Sequence, residues 1–293
     1  VTDNGGMDTR RLRLLVELSR LGSMRAVADE MHVTTSTVSQ QLGVLAREAG
    51  ATLIEPDGRR VRLTPAGQRL ARHAVTILAA VEAARLDLDP DAEPAGALRV
   101  AGFATAVRRS LLPVAATLAA THPRVRLLIH EHEPAEAFEL LATDAMDLAL
   151  TYDYNLAPAA FAPGLDAVPL WETPWGLAVP RDDPATDFAG FADHDWIVNS
   201  RNTADEDVVR TMASLAGCTP RIVHRADSLD LVQDMIVAGL GVGLLPLRTA
   251  TLPGVRLIEL TGVDVRLRCY AVTRHGRAAW PPLALVLRLL AGG

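Results

Sequence analysis

Along the first ninety residues, apolar positions recur at helical intervals in segments cut by short polar turns. Leu12, Leu15 and Val16 share one face of a first helix, which Asp8 can cap and which runs to about Arg20. Gly22-Ser23 stops it, and Ser23 caps a second helix in which Val27 and Met31 lie one turn apart. After a turn at His32-Val33, Thr34 caps a third helix whose buried stripe is Val38, Leu42 and Leu45. Its opposite face carries Thr35, Ser36, Ser39 and Gln40, all short or amide-bearing. Ser and Thr are mediocre helix formers, and a single hydroxyl suffices as a cap. Small donors and acceptors at a helix N-terminus can, however, approach a phosphate or a base edge closely, with the helix dipole adding attraction.

The segment 52–64 reads as a hairpin turning at Asp57-Gly58, with Arg59, Arg60 and Arg62 on its second arm. Three helices and a basic hairpin predict a winged helix-turn-helix, the third helix for the major groove and the wing for phosphates. Thr64-Pro65 then starts a long helix reaching about Leu88. Its stripe of Leu70, Ala74, Ile77, Leu78, Val81, Ala84 and Leu88 is too long for the small head to cover, which predicts pairing with a second copy.

Residues 89–95, rich in Pro and acid, read as a hinge. Beyond it strand-like and helical runs alternate. Strands are predicted at 98–103, 125–132, 146–152, 175–180, 196–199, 221–224, 243–247 and 265–273. Helices are predicted at 106–121, 134–143, 205–216, 229–238 and 282–290. Such alternation predicts an α/β body with mostly parallel sheets.

Charge sharpens this division. The 293-residue chain has a formal net charge of -6 and contains no Lys. Residues 10–72 carry eleven Arg against six acids, whereas residues 89–293 carry seventeen Arg against twenty-five. A basic head on an acidic body suits a protein whose first segment meets an anion. No apolar run reaches the ~18 residues needed to span a bilayer, and VTDNGGM lacks the basic and apolar regions of a signal peptide, so a cytoplasmic protein without a membrane partner is expected.

Candidate chemistry beyond DNA binding is sparse. Gly239-x-Gly241-x-Gly243 follows a helix and opens a strand, the reverse of a dinucleotide fingerprint, and is read as a helix cap with close packing. His130 and His132 share a strand face but lack a third ligand at a suitable spacing, so no metal is expected. Cys218 and Cys269 are read as small core residues, without the cationic neighbours or spacing of a redox pair. Arg108-Arg109 could guide an anionic effector. No nucleophile elbow, zinc-protease helix or phosphate loop occurs, so neither an enzyme nor a cofactor is expected.

The chain strongly resembles the LysR-type transcriptional regulators over nearly its whole length. The resemblance rests on Met7-Asp8, Gly22-Ser23, Ala26 with Ala28, Val38-Ser39-Gln40-Gln41 and Leu63-Thr64-Pro65-Ala66-Gly67 in the first part. In the second it rests on Leu111-Leu112-Pro113, Thr219-Pro220 and the run from Val237 to Pro246. Three positions depart from the family pattern: Thr35 replaces a Gln, Leu53-Ile54-Glu55-Pro56 lacks an Arg expected at phosphate, and Leu45-Ala46 replaces Leu-Glu. These bear on the operator sequence rather than on the binding mode.

The resemblance implies a DNA-binding head at 1–64, a dimerising linker helix at 65–88, the hinge at 89–95 and a periplasmic-binding-protein-like effector domain at 96–293. Its first lobe would span about 96–170 and 272–293, its second about 171–271. Implied partners are double-stranded promoter DNA, an unknown small-molecule effector and further copies of the chain, as dimer or tetramer. DNA would be met by Arg25, Thr34, Thr35, Ser36, Ser39, Gln40, Arg59, Arg60 and Arg62. The effector would meet Phe103, Ala104, Thr105, Tyr152 and Asp153 of one lobe, and Asn199, Ser200, Thr203 and Asp227 of the other. Thr105, near a helix start, suits a carboxylate and could equally cap that helix.

Overall fold

Three helices and a hairpin form the head of the molecule in the computed structural model, which describes residues 6–58, 60–89, 92–184, 186–191, 193–260 and 262–292. Helix α1 (Thr9–Leu21) starts where the Asp8 carboxylate accepts the Arg10 N–H at 2.8 Å, and ends at left-handed Gly22, whose N–H donates to Leu18 O. Ser23 opens α2 (Met24–Glu30), and His32, with φ of 53°, bends the chain into α3 (Thr35–Glu48). The predicted stripes meet: Leu12, Leu15, Val27, Val38, Leu42 and Leu45 are all buried in one core. Strands β1 (Ile54–Asp57) and β2 (Arg60–Leu63) pair antiparallel as the wing.

Helix α4 (Pro65–Leu88) is capped by Thr64, whose Oγ1 accepts from Gly67 N at 3.0 Å and donates to Thr52 O at 2.6 Å. The same hydroxyl therefore starts the helix and anchors the wing. Gly67 is obligatory, because a Cβ there would stand 2.0 Å from Leu53 O. Of the predicted stripe on α4, Ala74 is buried together with Ala71, Val75 and Ala79, whereas Ile77, Ala84 and Leu88 are exposed. Leu78 and Val81 line a groove of about 620 Å³ with Leu14, Met31 and Val33. Thr76 also donates to His275 O at 3.3 Å, tying the linker helix to the body.

The body runs β3 (Gly96–Gly102), α5 (Ala104–Ala106), a π-helical turn at Val107–Leu111, α6 (Leu112–Thr121), β4 (Val125–Glu131), α7 (Pro134–Ala142), β5 (Leu148–Tyr154) and β6 (Leu165–Pro180). It continues through β7 (Asp195–Val198), α8 (Ala204–Leu215), β8 (Arg221–Arg225), α9 (Leu229–Val237), β9 (Gly243–Pro246), β10 (Val255–Ile258), β11 (Val265–Arg274) and α10 (Pro281–Ala291). The first lobe is built on β3, paired in parallel with β4 and β5. The second holds the parallel pair β7–β8, with β9 and β10 flanking the end of β6.

Two long strands join the lobes. β6 and β11 run antiparallel from Trp175↔Val265 to Leu165↔Arg274, with a slip between Cys269 and Tyr270. This corrects the expectation of mostly parallel pairing: among the described residues, three strand pairs of the body are parallel and four antiparallel. The first half of β6 escapes a periodicity reading because Pro169 and Pro174 interrupt its apolar pattern. β10 was likewise absent from the predicted elements. The glycine run behaves as read. Gly239 closes α9, and at Gly241, with φ of 153°, a Cβ would stand 2.3 Å from Asp195 O.

Candidate nucleic-acid face and interlobe cleft

The N-terminal end of α3 presents the face anticipated for DNA. Thr34 Oγ1 accepts from Thr37 N at 3.1 Å and lies 2.8 Å from Ser36 Oγ and 2.9 Å from Thr37 Oγ1, so the hydroxyls are ordered by one another. Thr34, Thr35, Ser36, Ser39 and Gln40 are exposed, and so is Arg25 on α2. Wing residue Arg59 lies outside the described residues. Arg60 stands opposite Asp57 in the hairpin. Arg62 is exposed but paired with Glu55 at 2.8 Å, its cross-strand neighbour, so part of its charge is already compensated.

A cavity of about 520 Å³ separates the two lobes. The chain reversals after β3 and β4 and those after β7 and β8 converge on it, with Tyr152 of β5 between them, which is where open α/β units bind ligands. Of the anticipated effector residues, Phe103, Ala104, Thr105, Tyr152, Asn199, Ser200 and Asp227 line it. The Phe103 and Tyr152 rings pack at a tilt of 59° with centres 4.6 Å apart. Thr105 does not cap: the helix begins after Phe103 without a side-chain cap.

Asp153 and Thr203 do not line the cavity. Alternation along β5 turns Asp153 away from Tyr152, and its carboxylate accepts two bonds from Arg268, at 2.8 Å each, and one from Ala159 N. Thr203 Oγ1 instead donates to Asp207 at 2.9 Å. Arg108 lines the cavity, while Arg109 lies over the Trp171 ring at 4.1 Å. His130 and His132 stack parallel at 6.3 Å, and no cluster of three or more metal-ligating residues occurs among the described residues.

Several cleft residues were not anticipated, and they are chiefly charged. Glu133 Oε2 accepts from Tyr152 Oη at 3.0 Å and from Asn202 Nδ2 at 2.8 Å, joining the lobes. Burial pushes its pKa up, against the lowering effect of the Tyr152 bond. Asp205 accepts from Tyr154 Oη at 2.7 Å, and burial pushes its carboxyl up to about 7, with Glu133 and Asp227 adding repulsion. For Asp227 burial also pulls upward, but bonds from Ser200 and Arg201 outweigh it and hold the carboxyl low. Arg201 spans the gap, 3.2 Å from Asp227 and 3.5 to 3.8 Å from Glu136, Glu131 and Glu133. The signal for this group was an Arg and two carboxylates lying beside residues already singled out, Ser200 and His132.

Residues 9–68 match the family described as bacterial regulatory helix-turn-helix protein, lysR family, and residues 91–292 match the LysR substrate binding domain. This chain belongs to the LysR family of DNA-binding transcriptional regulators. It is 28% identical over 247 residues to the hydrogen peroxide-inducible genes activator of Pectobacterium carotovorum subsp. carotovorum, covering 82% of this chain and 80% of that protein. It is 27% identical over 244 residues to the nitrogen assimilation regulatory protein nac of Escherichia coli K12, covering 82% and 78%. Full-length OxyR from Pseudomonas aeruginosa shares the fold, with a TM-score of 0.72 at 20% identity over 98% of this LysR-family chain and 97% of that one. No helix of the described residues is long and apolar enough to cross a membrane.

Proposed function

We propose that this LysR-family regulator reads its operator with the N-terminal face of α3 and takes its signal from a small molecule in the interlobe cleft. The carrying observation is the exposed, mutually ordered hydroxyl face at the start of α3, above a fully buried apolar stripe. Thr35, Ser36, Ser39 and Gln40 meet base edges, Thr34 and Arg25 meet the adjoining backbone, and Arg59, Arg60 and Arg62 follow the phosphates from the wing. The exposed Ile77, Ala84 and Leu88 of α4 make the face through which two copies pair, which sets two heads at a fixed spacing. Residues 1–64 act as head, 65–88 as linker, 89–95 as hinge and 96–293 as sensor. The protein acts in the cytoplasm, where its DNA lies, and carries out no turnover.

An effector with different affinity for open and closed lobes shifts their balance and, through the α4–His275 contact, the spacing of the heads. The cleft, not the Cys269 thiol, is the sensor. Burial pushes the Cys269 thiol up to about 12, which keeps it protonated.

A gel-shift series with fragments of the source genome tests the groove assignment. Ser39→Ala with Gln40→Ala is expected to weaken the specific site by about 1–3 kcal/mol per lost base contact while leaving random duplex binding intact. Unchanged preference for the specific site rejects the assignment.

A further inference from the structure

The turn between β11 and α10 is pinned to the first lobe at several points. Just before it, Arg274 pairs with buried Asp144 at 3.1 Å, and within it Arg277 pairs with buried Asp147 at 3.0 Å. Asp147 also accepts two bonds from the Arg99 side chain, at 2.9 and 2.8 Å. His275 N donates to Gly164 O at 2.8 Å, and the Arg277 guanidinium lies 4.3 Å from the centre of the Trp280 ring. That ring stands against Gly96, the first residue of β3. Gly96, Arg99, Asp144, Asp147 and Gly164 all belong to the first lobe. Buried pairs of this kind fix geometry, because parting either one leaves a charge without its partner.

The outer side of the same turn meets the linker helix. Gly276, with φ of 76°, presents bare backbone to α4: a Cβ there would stand 2.3 Å from Thr76 Oγ1 and 2.9 Å from Thr76 Cβ. Thr76 Oγ1 donates to His275 O at 3.3 Å. Glycine is thus required twice, by the left-handed backbone and by the approach of the helix. A turn facing solvent needs only the first. Ala79, three residues on, is buried, and α4 also packs against residues 277–279 and α10. The head reaches the first lobe as well. Burial pulls the Arg99 pKa down, but Asp147, Asp144 and Glu17 of α1 outweigh it and raise it.

We infer that the turn from His275 to Trp280 is a docking joint: it seats the linker helix on the first lobe through Thr76 and Gly276, so that head, α4 and first lobe turn as one body when the lobes move against each other. That last step rests on the cleft being the effector site, whereas the docking stands by itself. Strand β11 crosses from the second lobe and ends at Arg274, so the strand that joins the lobes runs directly into the joint. Movement of the second lobe therefore reaches α4 at Thr76.

Disulfide trapping in the purified full-length protein tests the docking without any ligand. Thr76→Cys with Gly276→Cys, on a Cys218→Ser background, brings two thiols to the contact, and the remaining Cys269 is buried. With diamide as oxidant, this pair is expected to link within one chain, read by mass spectrometry of the joined peptides. It should link about tenfold faster than Arg69→Cys with Gly276→Cys, whose helix position lies two turns back, about 10 Å away. Links between chains, equal rates for the two pairs, or persistent thiols in a protein with native circular dichroism each overturn the docking. Thr76→Tyr leaves the turn's own sequence intact and keeps the proposal testable if Gly276→Cys does not fold. It is expected to undock α4 and enlarge the radius of gyration in solution scattering at unchanged oligomeric mass, and an unchanged radius overturns the joint. Oxidised and reduced forms of the Thr76→Cys, Gly276→Cys protein should bind the operator fragment selected by the wild type equally well. A weaker complex after oxidation shows that head and first lobe must part, and overturns the one-body claim. If the wild type selects no fragment, the regulator reading fails, and the trapping and scattering results still decide the joint.

Discussion

The head and the cleft solve recognition in opposite ways. At the start of α3 the recognition face is made of neutral hydroxyls and one amide drawn from residues 34–40, with Thr34, Ser36 and Thr37 ordered by one another, over a dry stripe of Val38, Leu42 and Leu45. In the cleft the recognition groups include acidic and basic side chains, come from segments as far apart as Glu131 and Asp227, and are joined across the lobes by Arg201 and Asn202. A neutral face exposed to solvent costs nothing to keep unliganded. Buried carboxyls such as Glu133 and Asp205 are unfavourable when charged, which makes the cleft responsive to its surroundings and to a proton. The head is built to be constant and the cleft to change.

The largest effect should come from breaking the head's core. Leu42→Ala removes a fully buried side chain beneath the recognition face and is expected to cost about 2–5 kcal/mol. Chemical denaturation should show the head melting early while the body's transition is retained. Simultaneous loss of both transitions would show that head and body are one cooperative unit, and the comparison would fail.

Next in size is a proton effect confined to the cleft. The Asp205 carboxyl is raised from 3.8 to about 7 in the folded protein, so the folded state binds this proton more tightly than the unfolded chain. Its contribution therefore grows as pH falls through about 7 and levels off near the unfolded value of about 4. The wild-type melting temperature should rise relative to that of Asp205→Asn on going from about pH 8 to about pH 5. Parallel curves for the two proteins would remove Asp205 from the cleft's charge balance. The transition of the head should show no such dependence on Asp205.

The smallest effect belongs to the wing. Arg62 is exposed and paired with Glu55, so its neutralisation should reduce the salt slope of DNA binding by less than ~1 counterion. Glu55→Gln should instead strengthen non-specific binding by freeing that charge. A full unit lost on Arg62→Gln would show that DNA displaces Glu55 entirely.

The head was legible because its information is local. Caps at Asp8, Ser23, Thr34 and Thr64, and the stripes of α1 and α3, each act within one or two turns, and the structure places these as read; α2 stops before Met31, and of the α4 stripe only Ala74 is buried. The body was legible as alternation but not as pairing. Strand β6 joins two lobes through a run broken by Pro169 and Pro174, and only its partner β11 reveals the crossing. In the cleft, seven of nine anticipated residues line the cavity. Asp153 fails through the alternation of β5, and Thr203 because Asp207 takes its hydroxyl.

What the sequence alone determined was the kind of molecule: a basic head with a hydroxyl-tipped third helix, a long linker and an α/β body, all set by residues close together along the chain. What only the tertiary structure decided was the charge state of the cleft. Glu131, Glu133, Arg201 and Asp205 were not singled out in the linear reading, and Asp227 was anticipated only as an effector contact. Their approach across two lobes, with burial of Glu133 and Asp205, turns them into an interacting group, because the energy of a charge depends on what surrounds it in space and not on its neighbours along the chain.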